Sequence, residues 1–436
     1  MRSAVVLGGS FAGLLAARVL SEYADEVVLV EPDPLDEDGT GPGAPHRGQL
    51  HAFLGMGHAQ LEKLFPGITR ELTDGGAHLG QGDAIRFYVD GRLKVPVPGI
   101  RMLGATRPFI ERHVRRRVTA LGNVRVERAT ARGLLFGPRR VLGARIAAHG
   151  EPETELTADL VVDAMGRSSR LGSWLAGAGW QAAPVDRMRV DLGYATARFA
   201  RGGELPGTVI AHSMPGPRSG YLPTVIEPGA LAAVEGDTWS VLLAGYADHK
   251  PGKDPAEFLA RLKRCVAPFR EVAEVCEPLG DVEPFTFAES RRRRYGDLTR
   301  FPAGLVVIGD ALATVNPVYG QGLTLATLQA ASLHAHLRSG ARGGEPALRY
   351  FRTAGVFVDA AWELSTTADL AQPHVTGPYP RGYPVLKRVA DGITEASVTD
   401  PEVNETYMRV LHMLERPRAL TGPRVLYRTA RTLLGG

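Results

Sequence analysis

Short, wholly apolar runs recur along the chain and end at glycine or an acid: Ala4-Val5-Val6-Leu7, Val27-Val28-Leu29-Val30, Leu160-Val161-Val162 and Leu305-Val306-Val307-Ile308. Such runs, β-branched and too short for helices, predict fully buried strands. The first two flank Gly8-Gly9-Ser10-Phe11-Ala12-Gly13 and a helix-compatible stretch from Leu14 to Leu20, which together predict a βαβ unit. A different pattern, strict alternation, appears at Ile85-Phe87-Val89, Leu93-Val95-Val97, Val190-Leu192-Tyr194 and Trp239-Val241-Leu243. It predicts half-buried strands of a second sheet, whose inner face would line a pocket. The two sets around Asp90-Gly91 share a face only if the turn holds an odd number of residues or a bulge. Helical spacing follows at Leu323, Ala326, Ala330, Leu333 and Leu337. Beyond about residue 350 the pattern is mainly helical, with a proline- and glycine-rich break from Gln372 to Pro384 that either closes over the pocket or connects helices.

A chain of 436 residues is too long for one core and predicts two domains plus an appendage. Hydrophobic content of 44% with 22% charged residues is that of a soluble globular enzyme. The surplus of 51 basic over 47 acidic residues is too small to imply nucleic acid. Cys265 and Cys276 exclude a disulfide framework or a thiolate metal cluster, and are expected to be inert, partly buried thiols of a reducing cytoplasm. His51, His58 and His78 lack ligand spacing, and His334 and His336 cannot share a helix face, so no metal is expected. A strand starting at residue 4 leaves no room for a signal peptide, and no apolar run has transmembrane length. The expectation is a cytoplasmic protein without membrane insertion.

The glycine turn carries the first chemistry. Gly8 permits a tight turn, Gly13 lets helix and strand pack closely, and the helix N-terminus offers unpaired N–H groups to a pyrophosphate. Ser10 replaces the middle glycine of Gly-x-Gly-x-x-Gly with a small residue able to bind phosphate. Glu31, eighteen residues beyond Gly13, suits a ribose diol and argues for FAD or NAD over NADP. A second strand–turn reads Asp163-Ala164-Met165-Gly166-Arg167-Ser168-Ser169-Arg170, and a third reads Gly309-Asp310-Ala311, followed by Asn316-Pro317-Val318-Tyr319-Gly320-Gln321-Gly322. A helix starting after Gly322 would aim its positive end at an anionic ring.

These three segments, in this order over roughly the first 350 residues, resemble the para-hydroxybenzoate hydroxylase-like FAD-dependent monooxygenases. The resemblance implies an α/β fold: a discontinuous Rossmann-type FAD-binding domain (1–78, 101–178 and 285–350) with an inserted β-sheet substrate domain (79–100 and 179–284) and a C-terminal helical region (351–436). It implies that Gly8, Ser10, Gly13 and Glu31 hold the ADP half of FAD, with Asp163 and Asp310 also on the cofactor and Asp310 on its ribityl chain. Pro317 would lie beside the reactive ring edge, with Gly320, Gln321 and Gly322 near its O2. Arg107, opening Arg-Pro-Phe-Ile-Glu-Arg-His-Val, matches the arginine that begins the helix under the flavin. Asn316 and Tyr319 are expected to polarise a peroxide or touch substrate.

Pro45-His46-Arg47-Gly48-Gln49-Leu50-His51 is similar to a stretch of a bacterial subgroup containing polyether epoxidases and redox-neutral cyclases of polyketide biosynthesis. The activity implied is epoxidation or hydroxylation of a bulky apolar natural product, using molecular oxygen and a C4a-hydroperoxyflavin. A redox-neutral cyclase and a geranylgeranyl reductase-type enzyme are the alternatives. NAD(P)H is the expected electron source; Ala164, where relatives that bind NADPH directly carry glycine, leaves open direct reduction or a separate flavin reductase. The Trp-x-Trp-x-Ile-Pro signature of flavin-dependent halogenases is absent, no lysine stands out, and no Gly-x-Ser-x-Gly elbow suggests a hydrolase. The arginines of Ser290–Tyr295 are read as a solvated edge or a contact to substrate or flavin, and Arg115-Arg116-Arg117 as surface.

Overall fold

The runs on either side of the first glycine turn pair in parallel, as the βαβ pattern requires. β1 (Ser3–Leu7), α1 (Phe11–Leu20) and β2 (Glu26–Val30) set Val5 opposite Val28. The computed structural model describes residues 1–34, 43–44, 46–341 and 343–435. Pro45 lies outside the described residues. After α2 (Gly55–Leu64) and α3 (Ile68–Asp74) come β3 (His78–Gln81), β4 (Ile85–Val89), β5 (Arg92–Leu93) and β6 (Arg101–Gly104). The chain then returns through α4 (Arg107–Thr119) and β7 (Val124–Glu127). β8 (Ala129–Phe136), β9 (Val141–Ala148) and β10 (Thr154–Thr157) make an antiparallel sheet of their own. β11 (Leu160–Asp163), and later β17 below, complete the first sheet.

α5 (Leu171–Gly177) leads into β12 (Val185–Ala200), β13 (Ile210–Met214), β14 (Gly229–Val234) and β15 (Thr238–Tyr246). α6 (Pro255–Leu262) and α7 (Ala267–Val275) precede β16 (Pro278–Arg293), β17 (Leu305–Val307) and β18 (Ala313–Thr314). Helices finish the chain: α8 (Gly322–Arg338), α9 (Leu348–Asp369), α10 (Tyr383–Ala396), α11 (Pro401–Leu411) and α12 (Pro423–Leu434). Among the described residues no helix is long and apolar enough to cross a membrane.

All five strands of the first sheet are parallel, in the order β17-β11-β1-β2-β7, and α1, α4 and α8 share its core. This is the expected Rossmann-type α/β unit. Its central strands β1, β2, β11 and β17 are buried on both faces, which is why they read as continuous apolar runs, whereas the edge strand β7 (Val-Arg-Val-Glu) is partly exposed. The second sheet has the order β18-β16-β12-β15-β14-β13-β4-β5 and is antiparallel except where β13 meets β4. The expected boundary at 284/285 falls inside β16, which runs unbroken along β12 from Pro278 to Arg293.

The two faces of this sheet do different work. Trp239, Val241 and Leu243 pack outward against Phe258 and Leu262 of α6 and Phe269 and Val272 of α7. Only the other phase faces inward: Val190, Leu192 and Tyr194 with Ala244, Tyr246 and Phe287. So of the two alternations expected to roof the pocket, the one on β15 closes the far side. The Asp90-Gly91 turn is a plain two-residue turn, pairing Tyr88 with Leu93 and Val89 with Arg92. The two apolar sets therefore do not share a face, and Leu93 is exposed. The Gln372–Pro384 break lies over the inner face, with Val375 buried there and His374 Nε2 2.8 Å from the Val190 carbonyl oxygen.

Candidate active site

The first glycine turn is held open by sterics. Gly8 has φ +104°, and a Cβ there would lie 2.5 Å from the Ala164 carbonyl oxygen. A Cβ on Gly13 would lie 1.8 Å from the Gly8 oxygen, so helix and turn meet only if Gly13 has no side chain. Ser10 is the N-cap of α1 but makes no capping hydrogen bond, and the first turn carries no acid. The first amides of α1 and its positive dipole end are left to an anion. Glu31, at the end of β2, accepts from the Gly9 amide at 2.5 Å and the Asp33 amide at 2.9 Å, which fixes its carboxylate beside the turn.

The Ser10 hydroxyl instead joins a buried charge network. It donates to Glu111 Oε1 at 3.1 Å and accepts from Arg107 at 3.1 Å. Arg107 begins α4 as expected, and its Nε donates to Glu111 at 2.7 Å, one helical turn on. Arg47 Nε lies 3.2 Å from the other Glu111 oxygen. Burial alone would raise the Glu111 carboxyl, but Arg107 and Arg47 hold it below its ordinary range. Arg107 also contacts His46 Nε2 at 2.8 Å and His51 Nε2 at 3.2 Å. Burial and then the Arg107 charge push His46 down to about 3, and His51 well below its ordinary value. Both imidazoles are neutral acceptors. Glu111, His46 and His51 were not assigned roles from sequence; the four-residue spacing of Arg107 and Glu111 was the available signal. Arg115 is buried beside Glu111, at 3.9 Å, rather than on the surface.

The second motif turns inward. Asp163 is buried, and its carboxylate accepts from the Met165 amide at 3.0 Å and the Ser169 hydroxyl at 2.5 Å. Burial raises it to about 6. It shapes its own loop instead of facing outward. Asp310 follows Gly309, whose φ of +70° makes the turn. Burial raises the Asp310 carboxyl, while Arg107, Arg167 and Arg293 pull it down. Arg293 donates to the Ala311 carbonyl oxygen at 2.8 Å. The arginine run is therefore not a solvated edge: Arg293 ties down the Gly-Asp turn, and Arg292 bridges Asp186 and Asp359 at 2.8 Å each.

At the third motif, Gly320 has φ +67°, and a Cβ there would lie 2.6 Å from the Ala52 Cβ. α8 begins at Gly322, which is exposed, with neither a capping side chain nor an acid in its first turn. Gln321 is fully buried, and neither polar atom of its side chain has a hydrogen-bond partner. Asn316 and Tyr319 are not aimed at an open site. Asn316 Nδ2 donates to Asp369 at 2.6 Å, and the Tyr319 hydroxyl donates to the same oxygen at 3.1 Å. Tyr246 lies 3.4 Å from Asn316 Nδ2. Asp369, the last residue of α9, was missed because no motif marks it. It is fully buried, with its second oxygen unpartnered.

Burial raises the Asp369 carboxyl to about 7, against the hydrogen bonds from Asn316 and Tyr319. Between its unfolded value and about 7 the folded chain holds a proton that the unfolded chain has released, so stability falls as pH rises through that window. Asp369→Asn removes this dependence. Urea unfolding at about pH 4.5 and about pH 7.5 is expected to show the wild type losing on the order of 3 kcal/mol more than the variant. Equal losses would overturn the assignment.

Two uncapped helix N-termini and an orphaned Gln321 side-chain amide as donors, with Glu31 beside the glycine turn and Asp310 among arginines as acceptors, form a set of groups that fits FAD. Among the described residues no group of His, Cys, Asp and Glu could hold a metal ion.

The fold is that of the flavin-dependent monooxygenases. It matches the flavin-dependent brominase Bmp2 with a TM-score of 0.70, at 14% identity, over 99% of this chain and 98% of that one. It matches p-nitrophenol 4-monooxygenase PnpA from Pseudomonas putida DLL-E4 at 0.67, with 16% identity over 98% and 100%. The Diels-Alderase PyrE3 of pyrroindomycin biosynthesis gives 0.63, with 19% identity over 94% and 80%. No family model matches the chain. Protein Rv3254 of Mycobacterium tuberculosis (strain ATCC 25618 / H37Rv) is 31% identical over 439 residues, 94% of this chain and 90% of the relative. The chain belongs to the family of that protein.

Proposed function

We propose that this chain is an FAD-dependent monooxygenase acting on a small organic substrate. The observation that carries this reading is the chain of contacts that links two uncapped helix N-termini: Ser10 at the start of α1 accepts from Arg107, Arg107 reaches His51, and Ala52 abuts Gly320 just before α8. When bound, FAD supplies the reduced ring that activates molecular oxygen and passes one atom to the substrate. The chain's own residues bind and orient. Gly8, Ser10, Gly13 and Glu31 would hold the ADP half, with Asp310 on the ribityl chain. The amides of Gly320, Gln321 and Gly322, with the α8 dipole, would stabilise negative charge on the ring. Pro317 would border the ring. Asn316, Tyr319 and Asp369 fix that loop, while Tyr194, Phe285 and the Gln372–Pro384 segment exclude water. The substrate reading is a natural product of the polyketide type, in the manner of the polyether epoxidases, within the cytoplasm. Electrons come from NAD(P)H, directly or through a flavin reductase.

A second reading, a redox-neutral cyclase, is favoured by one observation: the fold match to the Diels-Alderase PyrE3. The missing Trp-x-Trp-x-Ile-Pro stretch speaks against halogenation.

The purified protein is expected to carry FAD, visible in its absorption spectrum, and to oxidise NAD(P)H in air, alone or with a flavin reductase. Protein that neither contains nor takes up FAD overturns the reading. Bound FAD with substrate turnover free of oxygen and reductant replaces it by the cyclase.

A further inference from the structure

The last helix reverses the ordinary pattern of a surface helix. α12 packs on the body through Val425, which is buried with Ile393, Ala396 and Val403, and through the buried Thr429. On the same side Arg428 and Thr432 reach Asp400 at 2.8 Å and 3.4 Å. At about 100° per residue, the face directly opposite holds Leu426, Tyr427, Ala430, Leu433 and Leu434. Charged side chains ordinarily meet water there. Here all five residues are exposed, Tyr427 by 66% and Leu434 by 89%. An unbroken apolar stripe therefore runs the length of the helix and faces away from the molecule. Single apolar residues on a surface are ordinary, but a contiguous strip marks a contact surface.

Charge indicates what the stripe meets. From Arg416 onward the chain holds five arginines and no acid. Arg424 and Arg428 are balanced by Asp400 and Glu402 of α11 and its N-cap. Arg416, Arg418 and Arg431 are exposed and have no carboxylate partner among the described residues. Arg431 and Arg424 border one side of the stripe.

The other side is basic as well. A Cβ on Gly392 would lie 3.3 Å from Leu433 Cδ1, so Leu433 sits over α10. Leu433 also lines a cavity of about 410 Å³, together with Arg92 and Arg218. Those two guanidiniums share one carboxylate, Glu395, at 2.6 Å and 2.5 Å. Positive charge thus flanks the stripe on both sides.

A second copy of this chain is the poorer occupant. An isologous contact would lay each stripe on its twin and bring the bordering arginines of the two copies together. A strip of Leu and Tyr between arginines instead matches a surface that is apolar inside and anionic at its boundary. That is the chemistry of a phospholipid leaflet.

We propose that α12 docks the protein on an anionic phospholipid surface. Leu426, Leu433 and Leu434 lie among the outer acyl segments, and Tyr427 sits at the boundary, where its ring is apolar and its hydroxyl wet. Arg418 and Arg431 meet the phosphates. The helix lies on the leaflet and does not cross it. The proposal goes beyond the flavin reading and does not depend on it.

The test sediments the full chain with vesicles of phosphatidylcholine, alone or with about one-third phosphatidylglycerol. Binding to the anionic vesicles is expected to be tenfold or more stronger, and to weaken several-fold at about 0.5 M salt. Tyr427→Ser combined with Leu434→Ser is expected to lower it tenfold or more. Arg418→Gln combined with Arg431→Gln is expected to remove most of the preference for anionic vesicles. All four side chains are exposed, so both variants are expected to unfold at the wild-type temperature. No binding to anionic vesicles, equal binding to neutral ones, or binding that both variants retain overturns the proposal. Light scattering across a concentration series covers the competing occupant: a dimer that the serine variant dissolves assigns the stripe to a second copy and overturns it too. The FAD content of the same samples tests the flavin reading separately.

Discussion

Gly13→Ala is expected to yield protein that retains no FAD and is destabilised by about 3 kcal/mol or more, the upper range for overpacking. The added methyl would sit 1.8 Å from the Gly8 carbonyl oxygen, a backbone atom that no rotamer change can move aside. Relief requires α1 to lift from the turn, which displaces the amides that face the anion and the Gly8–Ala164 contact beneath them. Urea unfolding and the visible spectrum check both parts. Gly172→Ala in α5 is the control, because a Cβ there meets nothing within 4 Å. It is expected to retain FAD and to gain a few tenths of a kcal/mol from reduced unfolded-state entropy. If Gly13→Ala behaves like the control, the glycine is not the close-packing element described here.

Arg107→Leu is expected to cost about 3–5 kcal/mol, the range for breaking a buried ion pair from one side. Glu111 is fully buried and would keep Arg47 but lose its closest partner. Ser10, His46 and His51 would lose a shared donor in the same step. Because Ser10 stands at the N-cap position of α1, where the proposed FAD pyrophosphate would bind, FAD affinity should fall along with stability. Arg107→Leu combined with Glu111→Leu removes both charges and is expected to recover part of the stability but not the affinity. Denaturation midpoints and FAD titration separate the two effects. A double variant no more stable than the single one would mean that packing, not charge, explains the loss. In the single variant, His46 also loses a repelling charge, so its pKa should rise from about 3, readable by NMR of the ring protons.

The parallel sheet was legible because four of its five strands are buried on both sides and read as apolar runs, two of them leading directly into a glycine turn at Gly8 and Gly309. The start of α8 after Gly322 and of α4 at Arg107 were likewise fixed locally, by glycine and by Thr106-Arg107-Pro108. The second sheet was legible only as strands. Alternation reveals that one face is apolar-packed, but Trp239-Val241-Leu243 and Val190-Leu192-Tyr194 look alike although they point in opposite directions. Which face turned inward was decided by α6 and α7 covering the other.

Side-chain roles followed the same division. Gly8, Gly13 and Glu31 act within one βαβ unit, so their spacing alone carries their meaning. Asn316 and Tyr319 were expected to reach substrate, yet their partner Asp369 lies about fifty residues away on another helix. Arg293 likewise reaches the Gly-Asp turn from another strand, donating to the Ala311 carbonyl oxygen. By itself the sequence determined the class of fold and the glycine turn between β1 and α1, because backbone sterics and burial periodicity act over a few neighbours. Only the tertiary structure decided which polar groups are paired and which are left idle. Desolvation and ion pairing depend on distance in space, and distant segments set it.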